Sequence, residues 1–156
     1  MNEKKNLTIE ETFALAVKNQ KKNNFQIAEN LYKEALKTNP NHFESIYYLG
    51  TLLAQTQRYD LAKPLLHKAI QIQPNYAMTY SNLGNVLKEL GEHQKAISSF
   101  EKAITIQPNY AAAHYNLGIV LQDLGEHQKA KSFYQMAVKY EPENLAHLYN
   151  LSMLDE

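Results

Sequence analysis

Apolar positions recur along this chain at helical spacing, and the whole pattern then recurs at a longer one. Leu83, Leu87 and Leu90 fall on one face of a helix, and Ala96, Phe100, Ala103 and Ile104 line a second helix a short turn later. Shifted by 34 residues, the same words return. Asn75-Tyr76-Ala77 becomes Asn109-Tyr110-Ala111, and Asn82-Leu83-Gly84 becomes Asn116-Leu117-Gly118. The run Leu90-Gly91-Glu92-His93-Gln94-Lys95-Ala96 becomes Leu124-Gly125-Glu126-His127-Gln128-Lys129-Ala130, and the two copies close on Pro108 and Pro142. About half of the positions are identical. Self-similarity at one period outranks local propensity, because it decides the architecture.

The period extends in both directions. Pro40, Pro74, Pro108 and Pro142 mark its ends, and counting back gives copies at 9–42, 43–76, 77–110 and 111–144, with a partial fifth copy or capping helix at 145–156. Together they predict one repeat domain over 1–156. The seventh place of each copy is Leu15, Leu49, Leu83, Leu117 and Leu151, and the eighth is small: Ala16, Gly50, Gly84, Gly118 and Ser152. Alanine holds the twentieth and twenty-seventh places in all four full copies. The twenty-fourth is bulky: Tyr32, Leu66, Phe100 and Tyr134.

Each copy therefore reads as two helices, brought close by small residues facing a large side chain. Gly91 and Gly125 stand where a left-handed cap closes the first helix. The residue before each terminal proline resists helical geometry, so the second helix ends near Gln107 in the third copy. Asn41, Asn75 and Asn109 are expected to cap the helices that follow. Pro64 is expected to delay its helix or to bend it at 62–65. Leu145, Leu148, Leu151 and Leu154 form an apolar face in the fifth copy, which has no second helix to cover it, and that pattern suggests a chain cut from a longer protein.

The arrangement resembles the tetratricopeptide repeat family from Ile9 to Glu156. Leu-Gly at places seven and eight, the two alanines, the bulky twenty-fourth residue and the proline at thirty-two carry the resemblance. It implies an all-α fold, a right-handed α-α superhelix of helix-turn-helix repeats, with first helices lining a concave groove. The fourth place, where the family carries a tryptophan-like residue, departs from the pattern with Thr12, Ile46, Tyr80, His114 and Leu148. The first copy departs further, with Ala16 and Asn19, as a terminal repeat does.

By the resemblance, places 2, 5, 6, 9, 12 and 13 face the groove. Place 6 carries Tyr48 and then Asn82, Asn116 and Asn150, a row that is similar to the inner asparagine ladder of O-GlcNAc transferase-like proteins. A carboxamide donates and accepts, so such a row suits the backbone of an extended polypeptide. Met78, Asn85, Ile119, Tyr47, Tyr115 and Tyr149 complete the expected peptide-binding set, the tyrosines adding broad contact area with a polar tip. Glu10, Glu44, Glu89, Asp123 and Glu156 against Lys21 and Lys88 make the groove mildly acidic. Asn85 and Asn116 match the two asparagines of the family's carboxylate clamp, but Ser81, Ala146 and Asn150 stand at its cationic places, which argues against that mode.

Charge and composition narrow the picture. Sixteen basic residues balance sixteen acidic ones, so no field favours nucleic acid, and RNA-reading helical repeats of similar period are disfavoured. No apolar run reaches membrane-spanning length. There is no cysteine, and the start has no apolar signal core, which together suggest a cytoplasmic protein. His93 and His127 recur only because the repeat recurs, at the start of second helices, while His114 and His147 read as packing residues. No phosphate loop, nucleophile elbow or metal-binding helix motif is present, so the expectation is a binding module with no catalytic residue, no cofactor and no metal. It holds an extended polypeptide or protein partner, as a recruiting domain of a larger protein. The alternative is a self-assembling scaffold using exposed repeat ends, with a homodimer through the C-terminal helix.

Overall fold

The structure, a computed structural model, describes residues 6–155; Glu156, expected on the groove, lies outside them. Among the described residues there are helices and turns but no strand. First helices are α1 (Ile9–Lys21), α3 (Phe43–Gln55), α5 (Ala77–Glu89), α7 (Ala111–Asp123) and α9 (Leu145–Met153). Second helices are α2 (Phe25–Thr38), α4 (Tyr59–Ile72), α6 (His93–Ile106) and α8 (His127–Tyr140). They group into two compact units, Met1–Pro74 with α1–α4 and Asn75–Glu156 with α5–α9. In each unit a first helix packs on the second helix that follows it, and that second helix packs on the next first helix.

Every full copy turns between its helices in the same way. Gly91 and Gly125 have φ of 77° and 79°, and Asn23 and Gln57 hold the same place at 62°. The next amide reaches back five residues, from Glu92 to Leu87 O and from Glu126 to Leu121 O, both at 2.8 Å. These are Schellman turns, which satisfy carbonyls that the helix end leaves open. Asparagine tolerates the left-handed region, whereas Gln57 holds it at a steric cost.

The small eighth place lets the paired helices close. A Cβ on Gly118 would lie 2.5 Å from the Tyr134 ring and one on Gly84 2.6 Å from the Phe100 ring, but one on Gly50 would lie 3.1 Å from Leu66 Cδ2. The large partners Tyr32, Leu66, Phe100 and Tyr134 are fully buried, as are the alanines at places twenty and twenty-seven. Where the large residue is tyrosine, a glutamine on the first helix accepts a hydrogen bond from its hydroxyl. Tyr32 donates to Gln20 Oε1 at 2.6 Å and Tyr134 to Gln122 Oε1 at 2.7 Å. Repeats with Leu66 or Phe100 have no hydroxyl to satisfy and carry Ala54 or Lys88 instead. Burial lifts the Tyr134 phenol to about 12.

Two expectations need correction. The helix caps are His42, Tyr76 and Tyr110, each one residue after the asparagine expected there. Polar side chains cap α1, α3 and α9: Thr8 Oγ1 accepts from Glu11 N at 3.1 Å, His42 Nδ1 from Ser45 N at 3.3 Å and Asn144 Oδ1 from Ala146 N at 3.1 Å, whereas the tyrosines before α5 and α7 make no such bond. Nor is α4 delayed by Pro64. It starts at Tyr59, at the repeat place where α2, α6 and α8 start, and Pro64 is its sixth residue. A proline there removes the amide that would bond to the Asp60 carbonyl, near enough to the helix start for surrounding packing to carry the loss.

One buried ion network ties α2 to the α3–α4 turn. Glu29, 4% exposed, accepts from Arg58 Nη2 at 2.6 Å and from Lys33 Nζ at 2.8 Å. The Arg58 guanidinium, with Lys33 beside it, holds the Glu29 carboxyl below the usual carboxylate range against the opposing effect of burial. The stability so gained is complete above the unfolded carboxyl value of about 4.3 and is lost as pH falls through the lowered folded value. Urea midpoints of the parent and Glu29→Gln proteins should therefore differ near neutrality and converge in acid; a gap constant with pH would contradict the ion network.

The glycine contacts predict a ranking. Alanine gains about 1 kcal/mol of helix propensity over glycine, which leaves Gly50→Ala near neutral. At Gly118 the buried, hydrogen-bonded ring has no room to retreat, so Gly118→Ala should cost about 1–3 kcal/mol net. Chemical denaturation of the two variants measures the difference.

Candidate functional site

In the second unit α5 contacts α7, and α7 is joined to α9 through side chains. The equivalent places of consecutive first helices thus come side by side. Tyr115 is the joint: its ring lies 4.7 Å from the buried His147 ring and 5.8 Å from Tyr134, and its hydroxyl accepts from Asn150 Nδ2 at 3.2 Å.

The three asparagines at place 6 are all half-buried, yet they differ chemically. Asn150 is engaged by Tyr115, and Asn82 also has a partner within the protein. The Asn116 side chain makes no hydrogen bond among the described residues, and neither does that of Asn85, one turn along α5 from Asn82. These two carboxamides keep donor and acceptor free on a partly shielded face, the state in which a peptide group gains most by replacing water. Met78 is 42% exposed on this face, with the Tyr76 hydroxyl 3.3 Å from its sulfur, and Ile119 is half-buried. Tyr149 is 64% exposed on α9.

Tyr47 and Tyr48 belong to the first unit. Tyr47 is buried, stacked on Phe43 at 6.0 Å and edge-on to Tyr48 at 5.4 Å. Tyr48 is half-buried and meets Phe13 at 5.3 Å and Tyr32 at 6.1 Å. Their rings form an aromatic cluster between α1, α2 and α3, so packing accounts for most of their surface. The charges expected on the face are exposed at Glu10, Lys21, Glu44, Glu89 and Asp123, while half-buried Lys88 lies 3.4 Å from Glu89. Ser81, at a clamp place, is buried and bonded to Tyr110, whose phenol burial raises above the usual tyrosine range.

The histidines take structural positions. His114 is buried, its Nε2 2.8 Å from the Pro108 carbonyl oxygen and its ring 5.6 Å from Tyr140. His93 and His127 open α6 and α8. Among the described residues no group of three His, Asp or Glu side chains is placed to hold a metal ion, and no helix is long and apolar enough to cross a membrane.

Comparison with known proteins agrees with this geometry. Family models described as tetratricopeptide repeat match residues 13–77, 65–98 and 111–144, and one described as TPR repeat matches 84–125. The chain belongs to the tetratricopeptide repeat family. Its fold class is accordingly the all-α helical-repeat superhelix, and members are typically non-catalytic interaction modules. Among solved tetratricopeptide structures, a MamA protein is similar with TM-score 0.84 and 27% identity, over 94% of this chain and 80% of that one. MamA from Desulfovibrio magneticus RS-1 is similar in fold with TM-score 0.82 and 24% identity, over 88% and 78%. YrrB, described as a TPR protein with an unusual peptide-binding site, matches in fold with TM-score 0.82 and 22% identity, over 92% and 74%. No curated protein matches the chain by sequence.

Sequence reasoning treated the asparagine row as uniform and missed the role of Tyr115 as the hydrogen-bond partner of Asn150. The signal was present in their spacing: Asn150 is one repeat plus one residue beyond Tyr115, within reach across neighbouring first helices.

Proposed function

We propose that this repeat domain holds an extended polypeptide along the first-helix face of α5, α7 and α9, gripping its backbone and presenting it to an activity carried by another domain or protein. The observation that carries the reading is the pair of half-buried carboxamides, Asn85 and Asn116, without hydrogen-bond partners among the described residues. Asn82 and Asn150 flank them at the same face, Met78 and Ile119 offer apolar contact, and Tyr115 and Tyr149 offer aromatic surface. The set recognises peptide groups rather than particular side chains, and Glu89 and Asp123 bias it against acidic segments. No catalytic residue, cofactor or metal enters this reading.

A second reading, association of two copies through α9, is favoured by Leu145 at 80%, Tyr149 at 64% and Met153 at 49% exposure on one short helix. An apolar stretch of that kind gains from a partner helix.

The test is affinity for a peptide selected from a random library, measured on the parent and on Asn85→Ala/Asn116→Ala. Two peptide contacts of about 0.5–1.5 kcal/mol each correspond to a loss of about five- to a hundredfold. Helicity and thermal midpoint should hold, because neither side chain bonds within the fold. Unchanged affinity in the folded double variant contradicts the reading. Sedimentation at rising concentration, with Leu148→Lys as control, separates the second: a parent dimer lost in that variant supports it, and a monomer throughout rules it out.

A further inference from the structure

On a face of α7 turned by about 100° from Asn116 lies a cleft of about 520 Å³. Leu117 and Leu121 form its floor, and Ile97 of α6, Leu124 and Phe133 of α8 form apolar walls. At 3.6 residues per turn, places 7, 11 and 14 point away from places 6, 9 and 13, so this is a face distinct from the one proposed above. Glu101, Glu126 and Lys129 rim it. Lys129 lies 3.3 Å from Glu126, while the Glu101 carboxylate has no ion pair among the described residues, so the rim keeps one uncompensated negative charge.

The first unit shows what fills such a slot. Twice the repeat length separates Ile97 from Glu29, Glu101 from Lys33, Leu124 from Thr56 and Glu126 from Arg58. There the Arg58 guanidinium crosses the slot, with Nη1 and Nη2 on the Glu29 carboxylate at 3.3 and 2.6 Å and Nε 3.4 Å from Thr56 Oγ1. In the second unit Arg58 has no counterpart cation, a carboxylate stands in its place and another stands where Lys33 was, and the space between them is open, with apolar Ile97 and Leu124 where Glu29 and Thr56 stand.

We infer that the α6–α8 cleft receives an arginine and a neighbouring large apolar side chain from a partner polypeptide, the arginine taking the role that Arg58 plays inside the first unit. Its aliphatic stem lies along Ile97 and Leu124, and its guanidinium meets Glu101 and Glu126, a planar fork matched to carboxylates. The apolar neighbour covers Leu117 and Leu121 beside Phe133. The domain then has two binding faces, one for extended backbone and one for a basic-apolar side-chain pair.

The probe is a capped leucine–arginine–phenylalanine tripeptide, titrated into the isotopically labelled full chain while the methyl signals of Ile97, Leu121 and Leu124 are followed by NMR. Saturable shifts at those methyls are expected, and a probe with glutamine in place of arginine should bind about fivefold more weakly, the worth of one charge-assisted bond at an exposed rim. Glu101→Gln/Glu126→Gln, both on the surface, should erase the preference for arginine. Ile97→Glu/Glu126→Arg rebuilds the first-unit network and should abolish binding. Asn85→Ala/Asn116→Ala should leave all of this unchanged, which keeps the outcome separate from that of the backbone-binding face. Equal binding of the two probes, silent methyls at saturating probe, shifts confined to Asn85 and Asn116, or a surviving arginine preference in the double glutamine variant would each overturn the inference.

Discussion

Where α7 meets α8, a hydrogen atom stands where any other residue would place a carbon. The Gly118 backbone comes so near the Tyr134 ring that a Cβ would sit 2.5 Å from it. The ring cannot withdraw, because it is fully buried and its hydroxyl is held by Gln122. That contact joins the helices of one repeat, and the repeat in turn sets where its neighbour stacks. Helices of 13 or 14 residues are marginal alone, so each depends on this packing. The side-by-side placement of α5, α7 and α9, and with it any binding face they share, follows from small residues at the eighth place.

The architecture was legible because the chain contains several copies of itself. A lone Gln57 gives no hint of a left-handed conformation, but its alignment with Gly91 and Gly125 does, and the backbone there has a φ of 62°. What periodicity cannot convey is where a motif stands by one residue, so the capping place was displaced from His42, Tyr76 and Tyr110 to the asparagines before them. Propensity likewise misplaced the helix start near Pro64, since a helix held by buried Ala62, Leu66 and Ala69 begins at Tyr59 despite the missing amide.

The candidate site was legible only as a row of places. Repeat arithmetic puts Asn82, Asn116 and Asn150 on equivalent positions, yet hydrogen bonding makes them unequal, because Tyr115 is long enough to reach one and leaves another free. The second face of α7 was hidden for the opposite reason. Ile97 reads as an ordinary apolar residue until it is set beside Glu29, Lys63 and Lys131 at the same place, three charged residues against one apolar one. Departures from the repeat, more than the repeat itself, mark where the two units differ in chemistry.

The claim that Asn116 grips backbone is tested most directly in the ligand itself. In a library-selected peptide, each amide in turn is replaced by an ester, which removes one N–H donor and leaves the side chains intact. The account predicts that an ester at the amide facing Asn116 weakens binding to the parent by about five- to tenfold and has no effect on Asn116→Ala, since the lost bond is the same one, while an ester facing Asn85 keeps its penalty there. If every ester penalty seen with the parent persists undiminished in the Asn116→Ala protein, the account is contradicted.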